Sequence, residues 1–150
     1  MASAPKRRAA STRVREAPPP LSRRLLLDTH VWLWWQVDDA RLGRSARKTI
    51  ALAPEVRFSV VSAWEIAIKS SLGKLALPRG FDVAEEVERD GFLPLAVEME
   101  HAAVVLRLPS RHRDPFDRML ISQAIAEGLT LVTGDPQLDS YGVGLLDARK

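Results

Sequence analysis

The chain is expected to fold as an α/β protein: a central parallel sheet of about five strands with helices on both faces. Three observations predict this. Short apolar runs rich in branched residues alternate with stretches of helical spacing from residue 23 onward, and strands alternating with helices demand crossover connections and hence a parallel sheet. Helix-start and helix-stop residues punctuate those stretches at the right places. At 150 residues and 46% hydrophobic content, one domain can bury a core without disulfides.

Taken in order, Arg-Leu-Leu-Leu-Asp (24–28) reads as a short buried strand ending in an acid. Residues 30–36 and 45–53 follow as helices. The branched segment 56–61, preceded by Pro54, reads as a second strand. Residues 62–72 carry Ala63, Ile66 and Ala67 at helical spacing, with Gly73 as the stop. An amphipathic helix over 81–89 precedes a third strand at 92–97. Helices are expected over 98–106 and 115–127, the latter ended by Gly128. Residues 129–133 form the fourth strand and 143–146 a short fifth. No internal repeat is present.

Residues 1–22 are rich in Ala, Ser, Arg and Pro without hydrophobic periodicity, and read as a disordered basic tail. The division is thus a tail over 1–22 and one domain over 23–150. The tail lacks the apolar stretch of a secretory signal, and no apolar run approaches the roughly 18–20 residues of a membrane-spanning helix. Absence of cysteine excludes disulfides, thiolate metal sites and cysteine nucleophiles, and suits a reducing cytoplasm. Net charge is +3, but its distribution matters more. Residues 1–24 hold seven basic side chains against Glu16, leaving 15 basic and 18 acidic groups beyond them. The basic character belongs to the tail, so any nucleic-acid reading has to rest on a site.

Four acids stand out, and each has a structural explanation by itself. Asp28 suits an N-cap. Ser-Ala-Trp-Glu (62–65) has the form of a capping box, with Ser62 as cap and Glu65 answering it. Asp-Pro-Phe-Asp (114–117) places Asp114 at N-cap, Pro115 at N1 and Asp117 at N3. Gly-Asp-Pro (134–136) is a turn signal. The conjunction says more. In a parallel sheet the carboxyl ends of the strands share one edge, where ligands bind. Asp28, Glu65 and Asp135 each fall at or just beyond a strand end, and Asp117 opens a helix that can start at that edge. Converging carboxylates repel unless protonated or bridged by a cation. Oxygen donors without cysteine or paired histidine favour Mg²⁺ or Mn²⁺. Such a cation can polarise a phosphate and activate water, which points to phosphodiester hydrolysis.

The segments Leu-Leu-Leu-Asp-Thr-His-Val-Trp-Leu (25–33), Ser-Ala-Trp-Glu-Ile-Ala-Ile-Lys (62–69), His-Arg-Asp-Pro-Phe-Asp-Arg-Met-Leu-Ile-Ser-Gln-Ala (112–124) and Leu-Val-Thr-Gly-Asp (131–135) resemble the successive motifs of PIN-domain toxins of the VapC type. The resemblance spans roughly residues 24–147. It implies a PIN-like fold and a Mg²⁺- or Mn²⁺-dependent endoribonuclease acting as the toxin of a toxin–antitoxin pair. An RNA substrate, a VapB-type antitoxin and a homodimer are implied with it. By motif position Asp28, Glu65, Asp117 and Asp135 are the catalytic and metal-holding acids. Thr133 matches the hydroxyl before the last acid, and Asp114 and Arg118 are supporting members that cap and pair locally. Where family members often carry a larger or basic residue, this chain has Gly134, which puts one substrate contact in question.

Other residues have two readings each. His30 stands two residues from Asp28 and can line the site; His112 is read as a loop histidine. Neither has metal-ligand spacing. Trp32 and Trp35 share a helical face and suit the core, leaving Trp34 and Trp64 for an interface or a base platform. Arg107, Arg111, Arg113 and Arg118 form either a solvated loop or an RNA-backbone contact. Three functional alternatives remain: a PIN-type nuclease of RNA processing, a Mg²⁺-binding signalling module resembling phospho-receiver domains, and a binding protein whose acids are only caps. The receiver reading needs a lysine after the last strand, and residues 143–147 have none.

Overall fold

In a computed structural model, which describes residues 23–111 and 114–150, the elements run β1 (Arg24–Leu27), α1 (Thr29–Gln36), α2 (Arg44–Leu52), β2 (Glu55–Ser59), α3 (Val60–Ser71), α4 (Val83–Arg89), β3 (Leu93–Leu95), α5 (Met99–Arg107), α6 (Pro115–Glu127), β4 (Thr130–Thr133) and β5 (Leu145–Asp147). A 3₁₀ turn spans Pro136–Tyr141. The expected tail over 1–22 lies outside the described residues, as do His112 and Arg113.

Five strands form one sheet in the order β3-β2-β1-β4-β5, and every neighbouring pair is parallel. β1 is central, with Leu25 beside Val56 on one flank and Thr130 on the other. Leu25, Leu26 and Leu27 are all fully buried, as a strand covered on both faces requires. Their side chains alternate. Leu25 and Leu27 join Val31, Trp32, Ile50, Phe58 and Ile66 in one core, whereas Leu26 joins Leu120, Ile121, Leu131 and Leu138 in another. Helices α1, α2 and α3 therefore cover one face and α6 the opposite one, as expected from the sequence.

Strand β2 is shorter than predicted. Ser59 ends it, and its hydroxyl accepts the Val61 N–H at 3.1 Å, so α3 starts at Val60. The predicted cap at Ser62 is thus wrong. Ser62 lies inside the helix, fully buried, and its Oγ accepts a hydrogen bond from the Thr29 hydroxyl at 2.8 Å. Ser59 competes successfully because Gln123 Oε1 also takes its hydroxyl hydrogen at 2.6 Å, tying the β2 end to α6. The other bounds differ by two or three residues at most. The stop of α6 matches its signal: Gly128 adopts φ 65°, a left-handed conformation that glycine takes without a Cβ penalty.

Two of the four tryptophans are core residues, though not the predicted pair. Trp32 is fully buried and Trp34 nearly so, while Trp35 is only partly buried. The indole N–H groups of Trp32 and Trp35 both donate to Asp90, at 3.1 and 3.3 Å, and the Gln36 amide joins them. Trp64 is exposed, edge-on to Phe116 with centroids 5.4 Å apart.

Candidate active site

Asp28 follows β1 directly. Its backbone N–H extends the sheet to Val132 O (2.9 Å), and its C=O accepts the Trp32 N–H (3.1 Å), so the residue is pinned between strand and helix. Its carboxylate accepts the Thr29 N–H at Oδ1 (2.7 Å) and the Thr133 hydroxyl at Oδ2 (2.7 Å). The capping role read from sequence is present, but Thr133, 105 residues away, shows that the carboxylate is also positioned from β4. Burial pushes the Asp28 carboxyl above its ordinary range, and Glu65 nearby adds to this. Proximity to His30 and the hydrogen bonds from Thr133 and Thr29 act against it.

Glu65 lies in the second turn of α3 rather than at its start, and is buried. Its Oε2 accepts from Lys69 Nζ at 2.5 Å, one helical turn on. This hydrogen bond is the chief reason the ammonium is held above its usual pKa, with Asp114 and Asp117 adding longer-range attraction. Asp114 caps α6 as predicted, accepting the N–H groups of Phe116 (2.9 Å) and Asp117 (3.2 Å). Asp117 sits in the first turn, where negative charge suits the helix dipole. Arg118 donates to the carbonyls of Pro109 and Val105 at 2.9 and 3.3 Å, closing the connection between α5 and α6. Asp135 caps the 3₁₀ turn by accepting the Gln137 N–H (2.9 Å).

These side chains meet. Asp28, Glu65, Asp114, Asp117 and Asp135 line one cavity of about 350 Å³ at the carboxyl edge of the sheet, together with His30, Lys69 and Lys74. All four predicted acids are in it. Thr133 stands behind Asp28, and Arg118 serves the loop. The acids come from four separate stretches of chain, which caps and turns alone do not require. A larger apolar groove of about 830 Å³ runs beside α4 and β3, lined by Phe58, Phe81, Val87 and Phe92, and shares no residue with the acid cavity.

Two lysines were missed in the sequence. Lys69 was detectable, because it stands four residues after Glu65 on a helix. Lys74 arrives through the turn after α3, where its N–H donates to Lys69 O at 2.9 Å, and no motif marks it. His30 also plays a part that spacing did not show. Its Nε2 accepts the Gly134 N–H at 3.0 Å, so the ring hydrogen is on Nδ1, 3.4 Å from Asp28 Oδ2. Gly134 is required by close packing: a Cβ there would lie 2.9 Å from the Trp34 ring and 3.2 Å from His30 Nε2.

The donor set is all oxygen, which fits a hard divalent cation. The raised pKa of Asp28 fits it too, since a buried carboxylate short of countercharge is stabilised by an added cation. In the geometry at hand, among the described residues, no three carboxylate or imidazole groups close on a common point. Lys69 instead supplies the positive charge next to Glu65.

The fold and this edge define a class: parallel α/β proteins with a carboxylate-lined cavity at the strand ends. Residues 25–144 match the PIN domain family, and the chain belongs to it. Ribonuclease VapC22 of Mycobacterium tuberculosis is 34% identical over 123 residues, covering 78% of this chain and 91% of the relative. Among solved structures, DNA-bound VapBC from Salmonella typhimurium has a TM-score of 0.63 at 18% identity, covering 83% of this chain and 98% of that one. VapBC2 from Rickettsia felis, bound to a promoter DNA fragment, has a TM-score of 0.59 at 14% identity, covering 82% and 97%. At these identities the structures speak for the fold.

Proposed function

We propose that the protein is a Mg²⁺- or Mn²⁺-dependent endoribonuclease, the toxin of a toxin–antitoxin pair. The observation that carries this reading is the meeting of Asp28, Glu65, Asp117 and Asp135 in one cavity. Membership of the PIN family and similarity to a protein named as a ribonuclease supply the chemistry. Asp28, Asp117 and Asp135 would hold the cation. When bound, it supplies Lewis-acid polarisation of the scissile phosphate and lowers the pKa of the attacking water.

The chain's own groups do the rest. Thr133 and the Thr29 N–H fix the orientation of Asp28. Glu65 would orient the water or hold a second ion, in place of its present partner Lys69. Lys69, held protonated beside the acids, is then placed to meet the negative charge that develops on the phosphate oxygens. Asp114 keeps the first turn of α6, and with it Asp117, facing the cavity.

The neighbouring VapBC structures support a VapB-type antitoxin as partner and a homodimer as the working form. Trp64, exposed on α3 among few other large apolar side chains of that helix, suits such a contact. Among the described residues no helix is long and apolar enough to cross a membrane, and we place the protein in the cytoplasm.

The test is incubation of metal-stripped, antitoxin-free protein with total cellular RNA, adding Mg²⁺, Mn²⁺ or chelator, with Asp117→Asn in parallel. Discrete fragments that need the metal and vanish in the variant support the assignment. Intact RNA in every arm overturns it; metal bound without cleavage then leaves a binding role, and no metal bound returns the acids to caps and turns.

A further inference from the structure

An RNA strand approaching the acid cavity carries charge of the same sign as its walls, and some part of the rim has to offset the repulsion. Beside Asp135 a second, shallower pocket of about 340 Å³ opens, lined by His30, Trp34, Gly134, Asp135, Pro136 and Arg149. His30 and Asp135 line both pockets, so the two adjoin.

Arg149 is the basic member, and it is held in place. Its Nε donates to Gly134 O at 3.2 Å. Its guanidinium carbon lies 5.3 Å from the centroid of the Trp34 ring, a cation–π distance. Its backbone N–H donates to Asp147 Oδ1 at 2.9 Å, which sets where the side chain departs. Trp34 is a firm floor, since it is 7% exposed and packs edge-on to His30 with centroids 4.8 Å apart.

A second arginine shows what a spent cation looks like. Arg41 also lies over Trp34, at 5.2 Å, but is ion-paired with Asp39 at 2.8 Å. Arg149 is held by a carbonyl and an aromatic ring, neither of which neutralises it. Holding Arg149 through Nε leaves the terminal N–H fork for an incoming group, and a guanidinium fork matches phosphate oxygens.

We infer that the Arg149–Trp34 pocket is a phosphate subsite, taking a phosphodiester of the single-stranded RNA next to the one cleaved in the acid cavity. This rests on the ribonuclease reading and adds to it a residue that governs substrate binding. The sequence motifs end at Asp135, so nothing in them reaches residue 149.

The experiment measures binding of a short single-stranded oligoribonucleotide to full-length Asp117→Asn protein in chelator, from about 50 to about 200 mM salt. Replacing Arg149 with Ala is expected to weaken binding about fivefold at the low end and to reduce the slope of log K against log salt by about 0.7, one phosphate contact on a single strand. Arg149→Lys restores the slope without the full affinity. Lys48→Ala, on the exposed side of α2, leaves both unchanged. If the Ala variant does not fold, Arg149→Gln keeps a donor for Gly134 O and carries the same expectation. An unaltered slope in the Arg149 variants, with wild-type protein still cleaving RNA in Mg²⁺, overturns the subsite and leaves the nuclease reading standing. Wild-type protein that neither binds nor cleaves RNA overturns both.

Discussion

Glu55 and Asp28 stand on neighbouring strands, one opening β2 and the other just past the end of β1, in opposite electrostatic settings. Glu55 receives two arginines. Arg24 grips it with a fork, Nε to Oε2 at 2.9 Å and Nη2 to Oε1 at 3.1 Å, and Arg57 Nε reaches Oε1 at 2.5 Å. Those hydrogen bonds hold its carboxyl down at about 2. Asp28 has hydroxyl and amide donors and a histidine but, among the described residues, no arginine or lysine bonded to it, and burial pushes its carboxyl up. At the amino edge the chain supplies the cation that the acid needs. At the carboxyl edge it withholds one from Asp28 and provides a cavity in its place. Glu55 is neutralised in situ by the fold, and on the function proposed above Asp28 is left to be neutralised by what binds.

The strongest way to break this contrast is to remove an acid from each edge and measure cleavage. Asp28→Asn is expected to lower the rate on the order of two to three powers of ten, the scale of several kcal/mol of lost charge stabilisation. Glu55→Gln should leave the rate within about twofold at a temperature where both proteins are folded. Equal losses in the two variants would show that the edges do not differ in function.

Next in size is packing behind the cavity. Gly134→Ala drives a methyl to within 2.9 Å of a buried indole, and overpacking of this kind costs about 1–3 kcal/mol. Urea unfolding should show the loss. An unchanged midpoint would mean that Trp34 yields freely, and that its hold on Arg149 is loose.

Stability against pH sharpens the comparison because the two shifts have opposite signs. The folded carboxyl of Glu55 is depressed, so its contribution is complete above the ordinary value of 4.5 and is lost as pH falls toward about 2. Because Glu55 is partly exposed, the gain is discounted to about 1 kcal/mol, and Glu55→Gln should flatten the acid limb of the stability curve by that much. The folded carboxyl of Asp28 is raised, so the proton-bound form favours the fold. Its penalty is absent below the ordinary 3.8 and grows as pH rises through the raised value. Metal-free Asp28→Asn should therefore be at least as stable as wild type at neutral pH, by chemical denaturation. A clear loss there would show that the Thr29 and Thr133 hydrogen bonds outweigh desolvation.

The smallest effect concerns Lys69. Lys69→Met removes the cation from buried Glu65 while keeping an apolar stem, and should destabilise the metal-free protein by about 1 kcal/mol, since the lysine end of the pair is half exposed. Added Mg²⁺ should recover more stability in the variant than in wild type. No difference in recovery would detach Lys69 from the cation's place.

Much of this was legible in the chain. Alternation of Leu25, Leu26 and Leu27 between two cores follows from a three-residue apolar run in a strand covered on both sides, so the fold class came through, whereas the place of β1 at the centre of the sheet was not read from the sequence. Asp28, Glu65 and Asp135 were legible as residues at or just beyond strand ends and Asp117 as the opening of a helix, and parallel topology brings the strand ends to one edge. Where α3 begins was not legible: Ser59 and Ser62 are both good caps, and Gln123, sixty-four residues on, decides between them. Trp34 took the core place expected of Trp35 by packing against Gly134, distant in sequence, whose missing Cβ leaves room for the indole. Arg149 carries no motif at all; only the return of the chain past β5 brings it over Trp34.

The central strand has a consequence in time. Asp28 stands on a strand whose two neighbours are β2 and β4, and its carboxylate is oriented by Thr133, so it waits on more than a hundred further residues. A growing chain that has released only its first hundred residues holds Asp28 and Glu65 but lacks Asp117, Asp135 and the strand that aims the first acid. Contacts so far apart in sequence close late in folding. A chain emerging from the ribosome therefore cannot close this cavity until Thr133 and Asp135 have been made and β4 has docked beside β1.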